Sequence, residues 1–217
     1  MGKMKNYSIE GNAREKAVLT VVLVAIVLSA LLYSPTNLLV EGLIAAVPSL
    51  SWLQQIGLLG AIEPLAIYGI LWAVYGKHLW RLSVFRKLHH VPDLNGQWKG
   101  TFQSSFPDRD GQRTVKDVTM TINQTFTSIN IRCAFPGSSE SYAEVAGILD
   151  CDEENGGCTL EFSYKNSATD NSQAFDPNRD NSHLGLNVLR ITGGQATGSY
   201  GTLRNESTRG FMELTRV

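Results

Sequence analysis

Cysteine is scarce: Cys133, Cys151 and Cys158 are the three in a chain of 217 residues. An odd, widely spaced set builds no disulfide framework and fits a reducing compartment. It builds no zinc site either, because Cys151 and Cys158 flank a predicted Asn-Gly hairpin while no second pair or His spacing completes four ligands. Histidine is as sparse, and His89-His90, beside a basic stretch, reads as a solvated or headgroup-facing pair. The acidic run Asp150, Asp152, Glu153, Glu154 lacks the spacing of a calcium loop and reads as a solvated turn. There is no nucleophile elbow, phosphate loop, HExxH pair or dinucleotide fingerprint. No catalytic residue, no metal and no cofactor is therefore expected.

Charge is also thin, 18% of residues, and unevenly placed. Residues 1–90 carry eight Lys/Arg against four Asp/Glu, and residues 91–217 carry eleven against sixteen. A net acidic second part disfavours a nucleic-acid polymer as partner. The chain divides accordingly into a two-helix transmembrane region with basic flanks, 1–90, and a β-rich ligand-binding domain, 91–217.

The first part contains the long apolar runs. Ala17 to Tyr33 is free of charge and spans about 26 Å as a helix, near the lower limit for a bilayer core. A cleaved signal peptide is the rival reading, but no small-residue cleavage site follows. A second run, Ile56 to Tyr75, spans roughly 30 Å, with Trp52, Trp72, Tyr75 and Trp80 near its ends as interfacial anchors. Lys/Arg residues precede the first run and follow the second, and none lies between Ser34 and Trp52, which predicts both termini in the cytoplasm. Between Pro35 and Pro48 the sequence predicts a separate interfacial helix. Glu63, beside Pro64 in the second run, is either an inter-subunit or pore-lining group or a protonated carboxyl facing the partner helix. Gly57/Ala61 and Ala25/Ser29 have the small-xxx-small spacing that lets helices approach and assemble.

After Pro92 the pattern changes to period two. In LNGQWKGTFQS, Leu94, Gly96, Trp98, Gly100 and Phe102 share one face, and VTMTINQ, TSINIRCAF and CTLEFSY repeat the alternation. Four less regular stretches, from ESYAEVAGILD to RGFMELTRV, bring the count to eight strands, with turn residues between them and no intervening helical period. The expected fold is a transmembrane α-hairpin followed by an all-β domain, an eight-stranded up-and-down β-barrel, with a sandwich as the other arrangement. Its end offers a small-ligand site. Candidate ligand-binding groups are Tyr164 and Tyr200 for rings and hydroxyls, Ser104, Gln124 and Thr202 for short polar contacts, and Arg132 or Arg190 for anionic oxygens. Asn166–Asn181 reads as a lid or a loop.

Gly96-Gln97-Trp98 on a first strand, with Arg209 or Arg216 on the last, resembles the GxW signature of lipocalin-like barrels, in which the tryptophan plugs one end. Together with two preceding membrane segments and the phrase VPDLNGQWKGTFQSSF, the chain resembles the effectors of bacterial antiphage CBASS systems. These are CD-NTase-associated, SMODS-associating effectors that join two transmembrane helices to a β-strand-rich domain. The resemblance implies an inner-membrane protein whose cytoplasmic barrel binds a cyclic dinucleotide. Binding then drives homo-oligomerisation, disruption of the bilayer, and death or growth arrest of the infected cell. The competing expectation is a membrane-anchored barrel that binds or senses a lipid or another small apolar ligand.

Overall fold

The computed structural model describes residues 3–50, 58–107, 111–137, 139–151, 157–168, 183–203 and 207–217. Two very short strands come first, β1 (Lys5–Asn6) and β2 (Ser8–Ile9), followed by the helices α1 (Ala13–Ala46), α2 (Leu58–Lys77) and α3 (Ser83–His89). The alternating sequence then becomes β3 (Gly96–Pro107), β4 (Arg113–Gln124), β5 (Ser128–Phe135), β6 (Ser139–Leu149), β7 (Cys158–Ala168), β8 (His183–Thr192), β9 (Gln195–Thr202) and β10 (Arg209–Arg216). Glycines stand where the hairpins need left-handed backbone: Gly193 and Gly194 have φ of 59° and 83° in the two-residue turn between β8 and β9.

β3 to β10 form a closed eight-stranded antiparallel barrel in the order β5-β4-β3-β10-β9-β8-β7-β6, with β5 pairing β6. Closure leaves no free edge and gives each strand one inward face. The apolar phase of each strand fills the interior: Trp98, Met120, Ile131, Ile148, Leu160, Leu189, Ala196 and Leu214 are all buried. The sandwich alternative is thereby set aside.

The seam that closes the barrel is short. β5 and β6 pair only through Arg132–Phe135 and Ser139–Tyr142. Beyond that point the N-terminal segment enters the seam. β1 runs antiparallel to β5, with Lys5 opposite Ile129, and β2 runs parallel to β6, with Ser8 opposite Gly147. Asn130 Nδ2 donates to the Lys3 carbonyl at 3.1 Å, and the Glu10 amide donates to the Ile148 carbonyl at 3.1 Å. Between the two strands Tyr7, 3% exposed, enters the core. Its hydroxyl donates to the Thr125 carbonyl (3.2 Å) and accepts from Gln124 Nε2 (3.0 Å). Residues up to Gly11 thus belong to the same compact unit as the residues from His90 onward, and Asn12–His89 form a second unit.

In that second unit α1 is a single helix of 34 residues that continues through Pro35. The separate interfacial helix expected between Pro35 and Pro48 is therefore not formed. Proline withdraws one backbone donor, but the helix formers LSALLY before it and NLLVEGLIAA after it carry the helix across. Among the described residues one segment, Ala13–Tyr33, is long and apolar enough to cross a membrane by length and composition. Ala17, Val21 and Ala25, four residues apart, form its buried stripe, and α1 packs against α2. Leu23, Ile26, Val27 and Leu31 are left exposed, an apolar surface that suits lipid rather than water. The hydroxyls of Thr20 and Ser29 donate to the carbonyls of Lys16 and Ala25, both at 2.8 Å, so neither stays unsatisfied in an apolar setting. α2 contains Pro64. Trp72 stacks between Tyr68 and Tyr75, and Tyr75 presents its ring to the edges of Phe85 and His89. Gly57 and the side chains of Ala61 and Glu63 lie outside the described residues.

Tyr7→Ala removes a buried ring from the seam and is expected to cost about 3 kcal/mol. Tyr7→Phe, which keeps the ring and loses two hydrogen bonds, is expected to cost roughly 1–2 kcal/mol. Denaturant unfolding of the full chain followed by tryptophan fluorescence measures both, and equal stability of Tyr7→Ala and the unmodified protein would contradict the sealing role.

Candidate functional site

The two ends of the barrel differ in chemistry. One is plugged. Trp98 is buried there, its Nε1 donating to the Leu94 carbonyl at 3.2 Å, and the Arg216 guanidinium lies 5.7 Å from its ring centroid. Arg216 also donates to the carbonyls of Asp93 and Asn95, tying the last strand to the entry of the first. Gln124 belongs to this end. Its Oε1 accepts from the Leu94 amide (2.9 Å), and its Nε2 reaches the Pro92 carbonyl (3.2 Å) as well as Tyr7. It is buried, as its inward phase implies, but it sits ten residues along β4 from the polar groups with which the sequence grouped it.

The opposite end is polar inside. Register sets Phe162, Asn187, Tyr200, Gly210, Ser104 and Thr114 side by side across β7, β8, β9, β10, β3 and β4. One row further out stand Tyr164, Gly185 and Thr202. Ser104, Tyr164, Tyr200 and Thr202 are all buried here, so the structure brings these four expected residues together. Thr202 is held by Thr208, whose amide donates to its Oγ1 at 2.9 Å.

The tyrosines are seated by glycines. A Cβ on Gly210 would overlap the Tyr200 ring, and one on Gly185 would overlap the Tyr164 ring. Tyr200 stacks on Phe102 with centroids 4.4 Å apart, and Phe102 meets Phe135 edge-on at 5.0 Å. His183 contacts Tyr164 edge-on at 6.1 Å. Burial raises the Tyr200 phenol above its ordinary range, against a smaller opposing effect of the neighbouring Ser104 and Thr208, so the ring stays neutral at physiological pH; among the described residues its buried hydroxyl has no hydrogen-bond partner.

Three groups here escaped the sequence reading. Asn187 is 3% exposed and, among the described residues, its buried Oδ1 has no hydrogen-bond partner. An unpaired buried acceptor costs roughly 1–3 kcal/mol, which a ligand donor recovers. Lys116 stands opposite Phe102 on β4, in the inward phase of Val118 and Met120, and is exposed. His183 opens β8 in the same phase as Asn187. The signal was present in each case as alternation: His183, Gly185, Asn187 and Leu189 in one strand, and Lys116, Val118 and Met120 in the other.

The arginines lie elsewhere. Arg132 is exposed on the outer face, ion-paired with Glu140, whose carboxylate also accepts from the Tyr142 hydroxyl at 2.7 Å. Arg190 is exposed and donates from Nη1 to the Asp150 carbonyl at 3.1 Å, at the plugged end. Outward phase in β5 and β8 explains both positions. Of the Asn166–Asn181 stretch, Asn166 is a buried residue of β7, and residues 169–182 lie outside the described residues.

Hydrogen bonds from Arg132 and then Tyr142 hold the Glu140 carboxyl below its usual range. A depressed carboxylate stabilises the fold above its unfolded pKa, and that contribution disappears as pH falls through the folded value. The pair is largely solvent-exposed, so Arg132→Ala is expected to cost under about 1 kcal/mol at pH 7. The difference should vanish in acid below the carboxylate range, as measured by urea unfolding across pH.

A family model described as Cap15, cyclic dinucleotide receptor domain, matches residues 89–216. The match spans α3's last residue and the whole barrel, more than half of the chain, and the chain belongs to that family. No curated protein matches it.

Proposed function

We propose that this Cap15-family chain is a membrane-anchored, non-enzymatic effector of bacterial antiphage defence whose barrel binds a cyclic dinucleotide at its polar end. The observation that carries the reading is the inward row Asn187, Tyr200, Gly210, Ser104 and Thr114 above an aromatic floor. A cyclic dinucleotide has two flat bases, hydrogen-bonding base edges and two phosphates. Tyr200, Phe102 and Tyr164 supply ring faces and edges for the bases. Asn187 Oδ1 supplies an acceptor for a base N–H, and Ser104, Thr202 and Thr208 supply hydroxyls. Lys116 supplies the cation that a net acidic domain must concentrate locally to hold phosphate. A lipid-sensing barrel requires a mainly apolar cavity, and the polar lining of this end counts against it.

The anchoring reading has topological support. Residues 5–9 and 96–216 share one sheet, so they lie on one side of any bilayer. Whatever lies between them then crosses an even number of times. Taking Ala13–Tyr33 as one crossing and the apolar stretch ending at Tyr75 as the second leaves both termini on the same side, and the basic flanks favour the cytoplasmic side of a bacterial inner membrane. A hairpin cannot perforate a bilayer alone, so activity requires association. A ligand that binds the associated form more tightly drives it, and the oligomer disrupts the membrane. Gly57, Ala61 and Glu63 are the proposed helix contacts, with Glu63 kept neutral or hydrogen-bonded between subunits.

Titration calorimetry of the full chain in detergent against a panel of cyclic and linear dinucleotides tests the site. One cyclic compound is expected to bind selectively. Lys116→Ala and Asn187→Ala should each weaken it about tenfold or more, roughly 1.4 kcal/mol, while Arg132→Ala leaves it unchanged. Absence of binding by folded protein across the panel, or equal affinity in Lys116→Ala, would defeat this assignment.

A further inference from the structure

The plugged end holds a second set of reactive groups that ligand binding does not use. β6 runs with Ala146 and Ile148 inward and ends at Leu149, opposite Thr159 of β7. Continued alternation would turn Asp150 inward and Cys151 out. Asp150 instead adopts a left-handed φ of 47° and is exposed. Non-glycine residues rarely take that conformation, and here it reverses the phase. Cys151, half-buried, is turned onto the core beside Cys158, the buried first residue of β7. With Leu149 opposite Thr159, the antiparallel register runs Cys151 alongside the first residues of β7, on the core side that Cys158 also faces.

Charged groups surround the pair. Glu10 Oε2 accepts from the Asp150 amide at 2.7 Å, and Arg190 Nη1 donates to the Asp150 carbonyl, so a carboxylate from the N-terminal segment and a guanidinium from β8 both face Cys151, with the Asp150 carboxylate beside them. The hydrogen bond from Cys158 holds the Cys151 thiol below its ordinary range, with Arg190 adding to the effect against burial, Glu10 and Asp150. Cys133 is the contrast: fully enclosed in the core, its thiol is pushed up to about 12 by burial. A partly exposed thiol beside a cation, with a second thiol next to it, is the arrangement of a peroxide-reactive site; an isolated buried thiol is inert.

We propose that Cys151 and Cys158 form a peroxide-reactive dithiol, with Cys151 the attacking and Cys158 the resolving thiol. The Cys151 thiolate attacks one oxygen of hydrogen peroxide. An S–O bond forms, the O–O bond breaks, and the leaving hydroxide takes up the proton that Cys151 released, giving water and a sulfenic acid. The Cys158 sulfur then displaces that hydroxyl, which leaves as water with the Cys158 proton while the S–S bond forms. Two thiols lose two electrons, one peroxide gains them, and two waters result. The bridge ties the facing ends of β6 and β7 next to the Glu10 contact, where the N-terminal segment meets the barrel.

The test exposes the full chain in detergent at pH 7 to hydrogen peroxide, caps free thiols with N-ethylmaleimide, and maps the digest by mass spectrometry. Expected is an intramolecular 151–158 linkage, with Cys133 capped only after unfolding. Cys158→Ser should stop Cys151 at a sulfenic acid that dimedone traps, and Cys151→Ser should leave Cys158 reduced. Because a change at buried Cys158 can disturb folding, Arg190→Gln provides a surface variant: it should slow Cys151 alkylation severalfold and move its pH midpoint upward. Both thiols still capped after peroxide treatment that oxidises free glutathione would overturn the proposal. So would an alkylation midpoint in the unmodified protein at or above ~8.5, the ordinary thiol value.

Discussion

Closure of the sheet is the constraint on which the rest of this molecule depends. Eight short strands satisfy their backbone donors and acceptors only by pairing on both sides, and a closed ring of that size leaves an interior that side chains nearly fill. One end is filled with apolar groups, with Trp98 as plug and Arg216 across its face. Gln124, the buried polar group at that end, is held by Leu94, Pro92 and Tyr7, and the inward polar row lies at the other end, where Ser104, Asn187, Tyr200 and Thr202 meet. Glycine makes room for them: with Gly185 and Gly210 replaced by larger residues, the two tyrosines have nowhere to lie. The location of the proposed ligand site is thus a by-product of where the barrel is packed shut.

Most of the barrel was legible in the sequence because its signal is local. Period-two runs marked by Leu94, Trp98, Val118, Ile122, Ile131 and Leu160 place eight strands, and each is formed. The signature of Gly96, Trp98 and an arginine on the last strand pointed to Arg216 as well as Arg209, and Arg216 is the one over the ring. What escaped was of two kinds. Strands β1 and β2 are two residues each, too short for any period to appear, and they exist because the seam between β5 and β6 accepts them. Tertiary demand, not propensity, makes them strands.

The site was half legible. Phase along a strand tells inward from outward but not which end of the barrel a residue occupies; that depends on register with neighbours. Gln124 has the inward phase of Thr202 and lies at the far end, joined to Tyr7. Charge alone points to Arg132 and Arg190, yet the phase of their strands puts both outside, whereas Lys116 is in phase with Val118. Pro35 misled in another way: a single missing donor did not stop a helix whose flanks are rich in Leu and Ala.

The N-terminal strands also impose an order of events during synthesis. Residues 5–9 leave the ribosome well before Ile129 and Ile148, the partners that hold them, exist. In between, α1 emerges, with a segment long and apolar enough to cross a bilayer. The first few residues therefore wait, unpaired, until β5 and β6 have been made, and the seam closes only then. Under the proposed membrane anchoring, translocation of that leading segment would leave the β5–β6 seam without β1 and β2, so the same two short strands would tie sidedness to completion of the fold.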